Sequence, residues 1–398
     1  MQESHSENLP LCLMINGRTG PIVTDECQPV FTVWLDGRQA LLEWTVILLS
    51  TEGTQIWRKT NGDTYSLSVA YDGPALIPQT RYQVIADLID RTGQVTRLSS
   101  VLETGLMGQN WRGRWIEPVQ QPAIREKEVT MMVILTPGPG HLGGHTRLRP
   151  SEDLRKTFHC DSKPRSSRLY ISAHGVYELQ INGQKAGPNC LAPETSAYPK
   201  ILYYQTHDVT AMLHPGENTI NIRLGDGWWI GRLGFGGDSC QYGDRLGLIL
   251  QLEMIEADGS KMIIGSDESF LCRRSSTDYA DLFIGERQDL ADPVEEPWQR
   301  CSVSDFQTDN LIAQPTEPVQ ELRALKPVIF PTTPNGDLLA DFGQVLAGVV
   351  CLTVDCLEKT EITLDHSEVL DQHGNFFRNI IGRNKDQRDV FIVPAGLT

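Results

Sequence analysis

The densest set of chemically capable side chains lies in Leu224-Gly225-Asp226-Gly227-Trp228-Trp229-Ile230-Gly231-Arg232 and the return Tyr242-Gly243-Asp244-Arg245. Glycines let a backbone approach a ligand closely, and an indole face stacks on the apolar side of a pyranose. Carboxylates such as Asp226 and Asp244 accept hydrogen bonds from sugar hydroxyls or ligate calcium. A saccharide site would therefore use Trp228 or Trp229 as platform, Tyr242 beside it, Asp226 and Asp244 for hydroxyls or a calcium ion, and Arg245 as a donor. In the competing structural picture, the two indoles plug the end of a sandwich, the glycines turn the chain, and the acids pair with Arg232 and Arg245. The residues alone leave both readings open.

Two further acidic stretches, Glu286-Arg287-Gln288-Asp289 and Asp365-His366-Ser367-Glu368, supply the carboxylate pairs that glycoside hydrolysis requires. Each lies beside basic residues at the end of an apolar run, the usual setting of a solvated turn, so neither is assigned a catalytic role. There is no nucleophile elbow, zinc-protease helix, phosphate loop or dinucleotide fingerprint. His174 and His207 fall inside strand-like runs and read as structural imidazoles. The Gly/Pro-rich run 136–145 reads as a solvated loop, and its His141 and His145 as loop residues rather than metal ligands. The 9 cysteines are scattered without a CxxC pair, which argues against a zinc site or a disulfide framework and for buried thiols in a reducing compartment.

The elements that must position these groups are strands. Alternating or short apolar runs recur throughout, for example Ala40–Leu49, Arg81–Asp90, Arg168–Ile181, Asn218–Leu224 and Arg245–Ile255. Turn signals such as Asn61-Gly62, Asn182-Gly183 and Asp258-Gly259 divide them, and no helical periodicity persists for three turns. The fold class is all-β, a tandem of sandwiches. Boundaries are expected near 109 and 312: an immunoglobulin- or fibronectin type III-like domain over 1–109, a jelly roll over 110–312, and an incomplete third sandwich over 313–398. Trp34, Trp44 and Trp57 are expected in the first core.

The 398 residues carry a net charge of −16 with no basic cluster, which gives nucleic acid no footprint. The apolar runs fall far short of the ~20 residues that span a bilayer, and the first residues lack a signal-peptide pattern. A cytoplasmic location is expected.

The run Arg168–Gly183 (RLYISAHGVYELQING), then Tyr203–Thr210 (YYQTHDVT) and Gly225–Gly231 (GDGWWIG), resembles the N-terminal β-domain of bacterial α-L-rhamnosidases. Three later pieces keep the family's order: Ile284-Gly285-Glu286 with Asp289, Asp341-Phe342-Gly343-Gln344 with Gly348, and His366–Asp371 with Gly374-Asn375. Tyr82–Gly105, followed by Trp111 and Trp115, resembles the fibronectin-like module that precedes it. Two places depart from the pattern: Ala192–Tyr198 lacks the family's tryptophan, and Glu286 is followed by no aromatic.

The resemblance implies the non-catalytic region of an enzyme that hydrolyses terminal α-L-rhamnose with inversion. It also implies a helical (α/α)₆ domain downstream carrying the catalytic acids, so no catalytic residue is assigned here and the 398 residues are expected to be inactive alone. Rhamnose-containing glycans are the implied partner, and calcium-assisted sugar binding by the middle domain is the family's precedent. A stand-alone carbohydrate-binding module or a structural adaptor is the alternative.

Overall fold

The computed structural model describes residues 11–35, 41–62, 67–109, 111–126, 132, 148–234, 236–292, 294–378 and 387–397. The 136–145 run with His141 and His145 lies outside them. Among the described residues the regular elements are strands joined by turns and irregular segments, apart from one helical turn at Gly227–Ile230, a 3₁₀ turn at Thr210–Met212 and the helical Met132. The all-β expectation holds. None of the described helices is long and apolar enough to cross a membrane.

The chain divides into two compact units. The first comprises Met1–Trp111 together with Thr308–Pro318. Its larger sheet runs Ile22–Thr24, Val95–Thr104, Arg81–Asp90, Leu41–Ser50, Gln55–Asn61, and its smaller one Arg18–Thr19, Cys12–Ile15, Val30–Trp34, Ser68–Ala70. Strict alternation in Arg81–Asp90 turns Tyr82, Val84, Ala86 and Leu88 inward, because successive strand side chains point to opposite faces. These meet Phe31 and Val33 from the other sheet in one core; each fully buried aliphatic or aromatic contributes about 1.5–3 kcal/mol. Trp44 and Trp57 join that core, but Trp34 does not: it is 46% exposed. The same period-two rule explains this, since Trp34 follows the inward-facing Val33. The short segment after Thr308 is tied back locally, where Arg18 donates to the carbonyls of Gln314 at 3.1 Å and Thr316 at 3.3 Å.

The second unit comprises Arg112–Gln307 and Val319–Thr398. Two antiparallel sheets enclose its core. One orders Ser302–Val303, Ile116–Glu117, Gly247–Ile255, Ser166–His174, Leu202–Asp208; the other Gln184–Lys185, Val176–Ile181, Gly216–Gly225, Glu152–Cys160, Leu271–Arg274, Gln299–Arg300. Gly247–Ile255 is buried along all but its last residue, and it aligns with the full length of Ser166–His174.

Beyond these sheets, Thr277–Asp281 pairs with Gly285–Asp289, which runs parallel to Asp389–Val393, itself antiparallel to Thr360–Leu364. This sheet thus joins strands from both sides of position 312. The stretch between them, from about 320 to 378, buries little: Leu322 (85%), Val349 (84%), Leu338 (74%) and Leu357 (102%) are exposed.

Candidate functional site

The predicted cluster grows out of the strand Gly216–Gly225, which ends at Asp226 and turns directly into the single helical turn Gly227–Ile230. The turn is possible because Gly227 has φ +52°, and a Cβ there would sit 2.5 Å from Val176. Trp229 points inward. Its indole Nε1 donates to the Arg245 carbonyl at 3.1 Å, and its ring stacks on His174 at 4.1 Å with 6° between planes. Trp115 covers the other side of that imidazole at 4.4 Å, and Phe306 meets its edge at 4.3 Å. His174 is thus a buried neutral ring whose pKa is lowered to about 3 by burial, matching the structural role read from its strand.

The acids and the arginine have other partners than the sequence suggested. Asp226, with 7% of its side chain exposed, accepts from Arg149 Nε at 3.0 Å. Arg149 is held in turn by Gln120 Oε1 at 3.1 Å and the Gln121 carbonyl at 3.2 Å. Arg232 is buried against Glu126 in a two-pronged pair of 2.7 and 2.8 Å, the fork geometry that suits guanidinium to carboxylate. Arg245 grips Glu117 at 2.9 and 3.1 Å and lies 5.5 Å over Phe306. Asp244 is exposed, and its carbonyl accepts from Ala123 N at 2.7 Å.

Trp228 is half-buried and Tyr242 is 39% exposed, its ring 4.9 Å from Tyr198 and 6.3 Å from Trp229. Burial raises the Tyr198 phenol well above its ordinary value. Beneath Tyr242 lies a shallow depression of about 280 Å³, bordered by Ala123, Arg125, Cys240, Gln241, Gly243 and Asp244. The structure therefore gathers Trp229, Tyr242, Asp244 and Arg245 at one place, with Asp226 turned to Arg149.

This donor set does not fit calcium at Asp226, since the ion takes about six to eight oxygens and this carboxylate is occupied by a guanidinium. Among the described residues, no three His, Cys, Asp or Glu side chains are grouped to hold a metal. Two acids of the other stretches, Asp365 and Asp289, are likewise paired. Asp365 binds Arg388 at 2.7 Å and also Arg378, and Asp289 lies 3.5 Å from Lys359. Glu286 is raised by burial, then by Asp389 and Glu178, with Arg223 opposing. Sequence reasoning missed Arg149, Glu117 and Glu126, which lie 77, 128 and 106 residues from their partners.

The geometry defines β-sandwich units, the second with a shallow depression bordered by Tyr242. Comparison with known proteins specifies them. Residues 11–108 match the Rha78A-like N-terminal immunoglobulin domain, 162–323 the α-L-rhamnosidase N-terminal domain, and 331–397 the bacterial α-L-rhamnosidase concanavalin-like domain. Over these three stretches, in this order, the chain carries the N-terminal domains of bacterial α-L-rhamnosidases. An α-L-rhamnosidase of Streptomyces avermitilis is 33% identical over 239 residues, 57% of this chain and 23% of that protein. One from Formosa agariphila is 23% identical over 396 residues, covering 91% of this chain and 40% of the relative. The chain therefore spans less than half the length of these curated relatives.

Among solved structures, the Aspergillus terreus α-L-rhamnosidase superposes with a TM-score of 0.82 at 24% identity over 98% of this chain and 45% of its own. The S. avermitilis enzyme complexed with L-rhamnose gives 0.80 at 20%, over 97% of this chain and 54% of its own. At these identities the superpositions establish the fold.

Proposed function

We propose that the 398 residues form the non-catalytic β-region of an α-L-rhamnosidase that removes terminal α-L-rhamnose with inversion, using carboxyl groups supplied outside this chain. The observation that carries the reading is the ordered match of three N-terminal segments to this family's domains. The ion pairing of Asp365 and Asp289 supports it, because inverting hydrolysis needs one free carboxylic acid and one free carboxylate about 6.5–9.5 Å apart. Incubating the purified chain with an aryl α-L-rhamnoside is expected to release no rhamnose; measurable turnover abolished by Glu286→Gln or Asp365→Asn would sink the proposal. Extending the expressed frame through the region that corresponds to the remainder of the relatives is expected to restore activity.

The chain's own contribution in this reading is a weak saccharide contact at the depression under Tyr242. The exposed Tyr242 ring offers an apolar face to the C6 methyl of a deoxy sugar, and the Asp244 carboxylate can accept from its hydroxyls. Affinity should be about millimolar to tens of micromolar, as few contacts are available to one monosaccharide. L-Rhamnose titration followed by tryptophan fluorescence should saturate in the parent chain, weaken in Tyr242→Ala, and be unchanged by EDTA. A flat response, or binding indifferent to Tyr242, leaves a scaffold role alone.

A further inference from the structure

A second, basic pocket lies on the outer face of the sheet that carries Glu152–Cys160. It has a volume of about 250 Å³ and is lined by Arg155, Lys156, Thr157, Ser269, Leu271 and Arg300. Strand register accounts for the cluster. Arg155 stands opposite Leu271, which stands opposite Arg300, so the two arginines project from one face across three neighbouring strands. Trp298 fixes the arrangement: the Arg155 guanidinium lies 4.3 Å from its ring and that of Arg273 4.5 Å. Stacking on an indole holds a guanidinium plane while leaving its N–H edge available for a planar acid.

The pocket is basic in an acidic protein. The protein carries −16 overall, and Arg81, Arg97, Arg149, Arg223, Arg232 and Arg245 all have carboxylate partners. Among the described residues, no carboxylate engages Arg155 or Arg300. Lys156 donates to Ser269, which donates to Asp267, so it is already partly compensated. Two guanidinium forks thus face one cavity without an internal acid.

We propose that this pocket binds the carboxylate of a uronic acid residue within a glycan. Guanidinium forks match carboxylate geometry bidentately. The cavity also exceeds what a lone oxyanion fills, since one water occupies about 30 Å³ in the liquid, and so admits the pyranose ring bearing the acid. The site is separate from the depression under Tyr242 and does not depend on rhamnose binding there.

The test is calorimetric titration of the full chain with trigalacturonate, its methyl ester and inorganic phosphate, at low and at raised ionic strength. Trigalacturonate should bind saturably and weaken with salt, the ester should not bind, and added L-rhamnose should leave the affinity unchanged. Arg300→Gln, at an exposed position, should weaken binding about tenfold, the value of one charge-assisted pair. Arg155→Lys, which keeps the charge and loses the fork, should do the same. Absence of saturable heat overturns the proposal, as does binding unaltered in folded Arg300→Gln. Phosphate binding as tight as trigalacturonate, with competition between them, overturns the saccharide assignment in favour of a free-anion site.

Discussion

At the scale of single residues, His174 is the group on which the middle core turns. Its pKa, and that of His207, are lowered by burial to about 3 and about 4 from 6.5. The native state therefore refuses protons that the unfolded chain accepts, and stability is lost as pH falls below about 6.5 toward those values. Glu152 acts in the opposite direction: burial first, with Cys272 adding, raises it to about 8 from 4.5. Its neutral form is favoured in the fold, so stability falls as pH rises between those limits. Denaturant midpoints should be highest near pH 6. Between pH 7 and pH 4, His174 alone should cost roughly 3 kcal/mol, and His174→Phe should flatten that limb. Glu152→Gln should flatten the alkaline limb instead. If neither variant alters its limb, these groups do not govern the pH response. A Cβ at Gly243 would sit 2.4 Å from the Trp229 indole. Gly243→Ala should therefore displace the stack at a cost of about 1–3 kcal/mol, visible as altered tryptophan emission.

At the scale of elements, protection should follow burial. Amide exchange is expected to be slow in Ser166–His174, Gly216–Gly225 and Gly247–Ile255 and fast beyond about residue 330, with local protection at Thr360–Leu364 and Asp389–Val393. Uniformly slow exchange through Val393 would show the last segment to be as well supported as the middle core. This contrast was partly legible in the sequence. Alternation in Arg81–Asp90 and the apolar run ending at Ile255 identified strands, because period-two burial is a local property. The residues around Trp229 and Tyr242 were singled out instead by their types, since glycines, aromatics and acids group there at strand ends. Arg149 under Asp226 and Glu117 under Arg245 were not, since those pairings depend on which strand ends meet after folding. Likewise nothing local announces that Gly285–Asp289 takes its second partner from beyond residue 388.

At the scale of the whole molecule, the apolar residues displayed between Leu322 and Leu357 dominate behaviour in solution. Val349, Leu338, Val345 and Leu322 each expose more than two thirds of their surface, a density that marks an interaction surface or an aggregation hazard. The isolated chain should bind a hydrophobic dye and sediment with concentration-dependent association. Val349→Lys with Leu357→Lys should reduce both while leaving near-UV dichroism intact. Strictly monomeric behaviour without dye binding would show that this surface is covered in solution.

The parallel pairing of Arg287 with Val390 carries a further consequence for how the protein is made. The ribosome delivers Gly285–Asp289 about 100 residues before its partner strand. At about 5–20 residues per second, that edge stays bare for roughly 5–20 s of synthesis. During translation the nascent chain must therefore guard a half-built sheet whose remaining backbone groups are free to accept a strand from a neighbouring polypeptide. Slow codons between 290 and 388 would lengthen that exposure, and the yield of folded protein should fall accordingly.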